Sequence, residues 1–117
     1  AVQLTQGERM AADLVVVAVG VTPNDQLARE AGLATDNGIA VDEQLLTDDP
    51  TISALGDCAS FPWRGQRVRL ESVQNAVDQA RYIAARLRSG GDATGAPYDR
   101  LPWFWSEQGA CRLQIAG

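Results

Sequence analysis

Leu14-Val15-Val16-Val17-Ala18-Val19 is the longest apolar run in the chain, and it stops at Gly20. Consecutive β-branched residues without polar alternation suit a strand covered on both faces, as in a largely parallel α/β sheet. The run falls far short of the roughly 20 apolar residues needed to cross a bilayer. On its N-terminal side, Val2-Gln3-Leu4, a turn at Gln6-Gly7 and the stretch Arg9 to Asp13 read as a small hairpin or crossover.

On its C-terminal side the punctuation predicts a short helix. Thr22 can cap it, Pro23 fits the first helical position, and Asp25 falls in the first turn, where negative charge is favoured. Leu27, Ala28 and Ala31 share a face, and Gly32 stands where a left-handed C-cap belongs. Asn37-Gly38 marks a turn, and Gly38 to Asp42 reads as a strand. A loop at Asp48-Asp49-Pro50 leads to a second short strand, Thr51 to Leu55, which runs into Gly56-Asp57. Ser60 to Arg69 reads as a loop, with Pro62 and Gly65 as its turn residues. Ser72 to Arg88 is the clearest helix: Val73, Ala76, Val77, Ala80, Ala84 and Leu87 follow helical spacing. Arg81, Arg86 and Arg88 gather toward its C-terminal half, as the helix dipole favours. Ser89-Gly90-Gly91 ends it, Asp92 to Ala96 is a linker, and Pro97 to Gly117 is first aromatic and then strand-like. Strand and helix alternate, which predicts an α/β fold.

The 117 residues fit one ordinary domain, able to bury roughly two-thirds of its unfolded surface. The apolar fraction of 45% and the charged fraction of 21% are those of a folded chain, not a disordered one. A net charge of −5 gives no electrostatic reason to bind nucleic acid or an anionic membrane. The first residues alternate polar and apolar, unlike a signal peptide. Cys58 and Cys111 are far apart and form no Cys-x-x-Cys, so two buried thiols in a reducing cytosol are expected rather than a disulfide or a zinc ribbon. A start on a strand without Met and a stop at Leu113-Gln114-Ile115-Ala116-Gly117 suggest a piece of a longer protein. Such a piece would self-associate through open sheet edges.

Three places could carry chemistry. Gly56-Asp57, at a predicted strand end, offers close backbone approach and a carboxylate that accepts hydrogen bonds from sugar-type hydroxyls. Taken alone, the dipeptide is more often just a turn. Glu71-Ser72-Val73 opens the long helix, whose free N–H groups suit an anion or a polar carbonyl edge; Ser72 equally caps the helix itself. Pro102-Trp103-Phe104-Trp105-Ser106 places Trp103 and Trp105 on one side of a strand and Phe104 on the other. Such a cluster is more often core or interface than a cofactor contact.

In this order, Leu55-Gly56-Asp57-Cys58-Ala59, Arg69-Leu70-Glu71-Ser72-Val73-Gln74-Asn75-Ala76 and Pro102-Trp103-Phe104-Trp105-Ser106 resemble the FAD-dependent ferredoxin, rubredoxin and putidaredoxin reductases. These belong to the pyridine nucleotide-disulphide oxidoreductase superfamily. Gly20-Val21-Thr22-Pro23-Asn24 resembles that family's crossing from the NADH domain back to the FAD domain. The resemblance implies a fragment of a Rossmann-like FAD/NAD(P)-binding domain followed by the start of an α+β C-terminal domain. Residues 1–22 would end the NADH domain, 23–92 would form the C-terminal half of the FAD domain, and 93–117 would open the C-terminal domain. It implies that Gly56 and Asp57 hold the ribitol of FAD. At the helix start, Ser72 and Val73 would be cofactor-binding, the backbone of Val73 meeting the pyrimidine end of the flavin ring, and Trp105 would pack near the flavin. A helix N-terminus there favours nearby negative charge by about 0.3–1 kcal/mol, which would shift the flavin potential by tens of millivolts at about 59 mV per 1.4 kcal/mol.

The implied activity is transfer of a hydride from NADH onto FAD, then of single electrons to a ferredoxin or rubredoxin. Glu107 stands where the family pattern has Asp. No Gly-x-Gly-x-x-Gly occurs in the chain, so the resemblance puts both dinucleotide fingerprints upstream of residue 1 and leaves the isolated piece inactive. Two other readings stand beside this one: a reductase of the same superfamily with another acceptor, and a non-enzymatic α/β interaction module.

Overall fold

A computed structural model of the chain describes residues 1–90 and 95–117. The elements are β1 (Val2–Gln3), β2 (Arg9–Met10), α1 (Gln26–Glu30), β3 (Ile39–Ala40), β4 (Ala59–Trp63), β5 (Gln66–Val68), α2 (Val73–Arg88), β6 (Trp103–Gln108) and β7 (Cys111–Ala116). The strands form three small sheets. β1 and β2 are an antiparallel hairpin, as are β6 and β7, and β4 lies between a parallel β3 and an antiparallel β5. Helix and strand are mixed along the chain, as the sequence predicts. The expected linker at Asp92 to Ala96, its boundary at 92/93 and the Gly91 end of the helix signal lie wholly or partly outside the described residues.

The core gathers where β4 meets α2. Val41, Leu45, Ala54, Ala59, Phe61, Ile83 and Tyr98 are buried together. Phe61 and Tyr82 each meet the Tyr98 ring edge-to-face at 5.6 Å, the geometry that aromatic quadrupoles favour. Tyr98 is also fixed by its backbone, its N–H donating to Glu43 O at 2.8 Å.

Several sequence expectations are corrected. Leu14 to Val19 is not a strand: the run has no regular secondary structure, and Leu14 and Val19 are 81% and 88% exposed. A doubly covered strand needs neighbours on both edges, and among the described residues none pairs with it. The first helix starts at Gln26, not beside Thr22 and Pro23. Asp25 takes the cap position without a side-chain cap bond and instead pairs with Arg29. Of Leu27, Ala28 and Ala31 only Ala28 is buried. Gly32 does end this helix in the left-handed region (φ +80°), and Leu33 N–H closes back on Ala28 O at 2.9 Å, the bond pattern of a glycine-terminated helix.

Thr51 to Leu55 pairs only through Ser53, bridged to Leu46, so the strand β4 follows Gly56-Asp57 rather than preceding it. Ser60 to Arg69 is largely a hairpin, turned by Arg64 (φ +48°) and Gly65 (φ +78°), the two positive values that a tight two-residue connection requires. Pro62 is tolerated within β4 because β3 reaches only Ala59 and Ser60. Both cysteines are free, but neither is buried as expected: Cys58 is half-buried and Cys111 is exposed.

The long helix forms where expected, capped by Ser72, but its face is the reverse of the predicted one. Val73, Val77, Ala80, Ala84 and Leu87 are exposed and only Ala76 of the expected face is half-buried, while Asn75, Gln79, Ile83 and Arg86 are buried.

Candidate functional site

Gly56, Asp57 and Cys58 form a single 3-10 turn packed against α2. Gly56 is buried with φ +74°, and its N–H donates to Gln79 Oε1 at 2.7 Å. A Cβ there would lie 3.5 Å from Ala76 Cβ, an ordinary contact, so it is the left-handed backbone that calls for glycine. The Asp57 carbonyl accepts from Arg69 Nη1 at 2.9 Å. The Asp57 side chain is exposed, and among the described residues none donates a hydrogen bond to its carboxylate.

Arg69 is the hub. Its side chain is only 8% exposed, pairs with Glu71 Oε1 at 2.6 Å and donates from Nε to Asn37 Oδ1 at 3.4 Å. It thereby ties the Asn37-Gly38 turn to the Gly56–Cys58 turn. Gly38, at φ +123°, lies so close that a Cβ would come within 2.6 Å of Cys58 O. Only glycine permits that approach.

At the start of α2, Ser72 Oγ accepts from Asn75 N–H at 3.2 Å, and Asn75 Nδ2 donates to Leu70 O at 3.2 Å. The N–H groups of Val73 and Gln74 have no carbonyl one turn back to bond, and Val73 is exposed. A cavity of about 320 Å³ opens beside this helix start. Arg69, Glu71 and Ser72 line it, together with Trp103 and Phe104 of β6. Trp105 is partly exposed, and its ring lies 5.5 Å from that of Trp103.

The structure therefore brings Ser72 to the tryptophan strand and Gly56 to the middle of α2, with Arg69 joining the two places. Asp57, Val73 and Trp105 do not line the cavity. Sequence reasoning gave no role to Gln79 or Arg69, and within the aromatic segment it singled out Trp105, whereas Trp103 and Phe104 line the cavity. Gln79 belongs to a stripe, Asn75, Gln79, Ile83 and Arg86, that helical spacing would have shown had amide and guanidinium side chains been admitted to a buried face. Nothing in the sequence marks Arg69 as a partner of Asp57. Among the described residues, no three His, Cys, Asp or Glu side chains gather as they would around a metal ion, and no helix is long and apolar enough to cross a membrane.

The family model described as pyridine nucleotide-disulphide oxidoreductase matches residues 1–80. The chain belongs to the pyridine nucleotide-disulphide oxidoreductase family. Within that family, it is 54% identical to the rhodocoxin reductase of Rhodococcus erythropolis over 118 residues, 99% of this chain and 27% of that protein. The crystal structure of the ferredoxin reductase for the CYP199A2 system from Rhodopseudomonas palustris matches with a TM-score of 0.89 and 58% identity, over 98% of this chain and 28% of that one. The crystal structure of the covalent putidaredoxin reductase–putidaredoxin complex matches with a TM-score of 0.83 and 46% identity, over 97% and 27%. The chain thus spans little more than a quarter of these relatives' length.

Proposed function

We propose that the chain is part of a flavoprotein reductase of the ferredoxin–NAD reductase type (EC 1.18.1). It would take a hydride from NADH onto FAD and pass electrons singly to a ferredoxin or rubredoxin of an oxygenase system, in the cytoplasm. In this reading, residues 1–22 end the NADH domain, 23–92 are the C-terminal half of the FAD domain, and 93–117 open the domain that faces the electron acceptor. The observation that carries it is Arg69: one buried side chain lines the cavity between Ser72 and Trp103 and holds the Asp57 backbone. The names of the matched relatives, a rhodocoxin reductase and a ferredoxin reductase, support an iron–sulfur acceptor.

The residues fit the flavin. Asp57 offers a carboxylate without a described partner, and a hydroxyl donating to it would contribute about 1.5–3 kcal/mol. The first-turn N–H groups at Val73 offer donors to a carbonyl edge. Gly56 lets backbone approach, Ser72 keeps the helix start in register through Asn75, and Trp105 supplies an aromatic surface. Bound FAD would supply two-electron acceptance from NADH and one-electron release.

The test is NADH-driven reduction by the complete reductase, read as bleaching of a ferredoxin or rubredoxin. Rapid NADH-dependent bleaching is the expected result. Turnover of a disulfide substrate with no reduction of any iron–sulfur protein would contradict the proposal.

A further inference from the structure

We infer that Gln79 is a positioning residue for the flavin contact, an inference that rests on the flavin reading above. It acts through Gly56 and does not itself touch the cofactor. Gln79 is fully buried, and its Oε1 accepts from the Gly56 N–H at 2.7 Å. That bond fixes the peptide plane entering Gly56, whose φ of +74° turns the chain into Asp57. Arg69 fixes the other side by donating to the Asp57 carbonyl. Asp57 is therefore pinned by backbone bonds on both flanks while its carboxylate stays unengaged by the described residues. A side chain held this way reaches a ligand with little ordering left to do.

A purely structural role fits Gln79 poorly. Its Nε2 is buried and lacks a hydrogen-bond partner among the described residues, an arrangement that costs stability. A Met or Leu of similar volume would remove that unpaired donor but would leave the buried Gly56 N–H without the acceptor it has now. What the amide adds is the one acceptor that the Gly56 N–H finds.

The test is a double-mutant cycle on FAD affinity in the complete apo-reductase, with melting temperatures of the apo-proteins alongside. Gln79→Met is expected to weaken FAD binding about tenfold, with the apo-protein still folded. Combined with Asp57→Ala, it should add less than about twofold to the loss caused by Asp57→Ala alone, because both changes remove one contact. Gln79→Glu keeps an oxygen facing the Gly56 N–H and is expected to hold FAD within about threefold of the unmodified protein. Unchanged affinity in Gln79→Met, or losses that multiply in the double variant, would overturn the proposal. A Glu variant that folds yet loses FAD tenfold overturns it as well, whether or not the Met variant folds. If Asp57→Ala alone binds FAD normally, the flavin reading itself fails, an outcome distinct from a failure of Gln79.

Discussion

The two faces of α2 invert the usual division of side chains. Asn75, Gln79 and Arg86 point inward with Ile83, while Val73, Val77, Ala80, Ala84 and Leu87 lie on the solvent side. The inward face is held by hydrogen bonds as much as by apolar contact. Gln79 meets Gly56 N–H, Asn75 meets Leu70 O and the Tyr98 hydroxyl, and Arg86 reaches Gln44 O and, at 2.5 Å, Ser53 Oγ. Most of the outward face is left exposed among the described residues, Val73 and Leu87 by about two-thirds, as is most of Leu14 to Val19. Which face is buried depends on what the neighbouring loops offer, and here they offer carbonyls, an amide N–H and a hydroxyl.

The largest effect is expected at the core beneath the inward face. Phe61→Ala should destabilise the chain by about 3–5 kcal/mol, as large-to-small changes of buried aromatics do, measured by urea unfolding. A loss below about 1 kcal/mol would mean that β4 and α2 do not share a core. A smaller effect should come with pH. Burial pushes the Tyr98 hydroxyl up to about 12, with Asp78 adding to the rise and Arg100 opposing it. Its folded value thus exceeds the unfolded value of about 10. Its contribution is fully present below about pH 10 and is lost as pH rises toward 12. Alkaline denaturation followed at the tyrosine absorbance should show this loss, and Tyr98→Phe should remove that part of the pH dependence. The smallest effect is on the outward face: Leu87, 65% exposed, should tolerate Gln within about 0.5 kcal/mol. A cost of several kcal/mol in this chain would show that the face is covered.

How much of this was legible in the sequence follows from the same contrast. Most local signals read well, the cap expected at Thr22 and Pro23 being the exception. Ser72 caps α2, Gly32 closes α1, and Asn37-Gly38 turns, because each depends on a few neighbouring residues. Signals that need a distant partner did not. The valine run predicted a strand, but a strand exists only beside another, and none of the described strands lies beside it. Apolar periodicity chose the wrong face of α2 because it gives no weight to a glutamine that bonds a glycine 23 positions away. Pro62 disguised β4 because its tolerance depends on how far β3 extends. At the candidate site, the motif residues Gly56, Asp57 and Ser72 were visible as residue types at turns and helix starts. Arg69 and Gln79, which connect and orient them, were not.

On the proposed function, the turn at Gly56-Asp57 would hold a flavin. The most direct measurement is the FAD dissociation constant of the complete reductase carrying Asp57→Ala, taken by flavin fluorescence titration of the apo-protein. The expected affinity is about tenfold or more below that of the unmodified protein, a loss of about 1.4 kcal/mol or more, with the fold intact. An unchanged dissociation constant would contradict it.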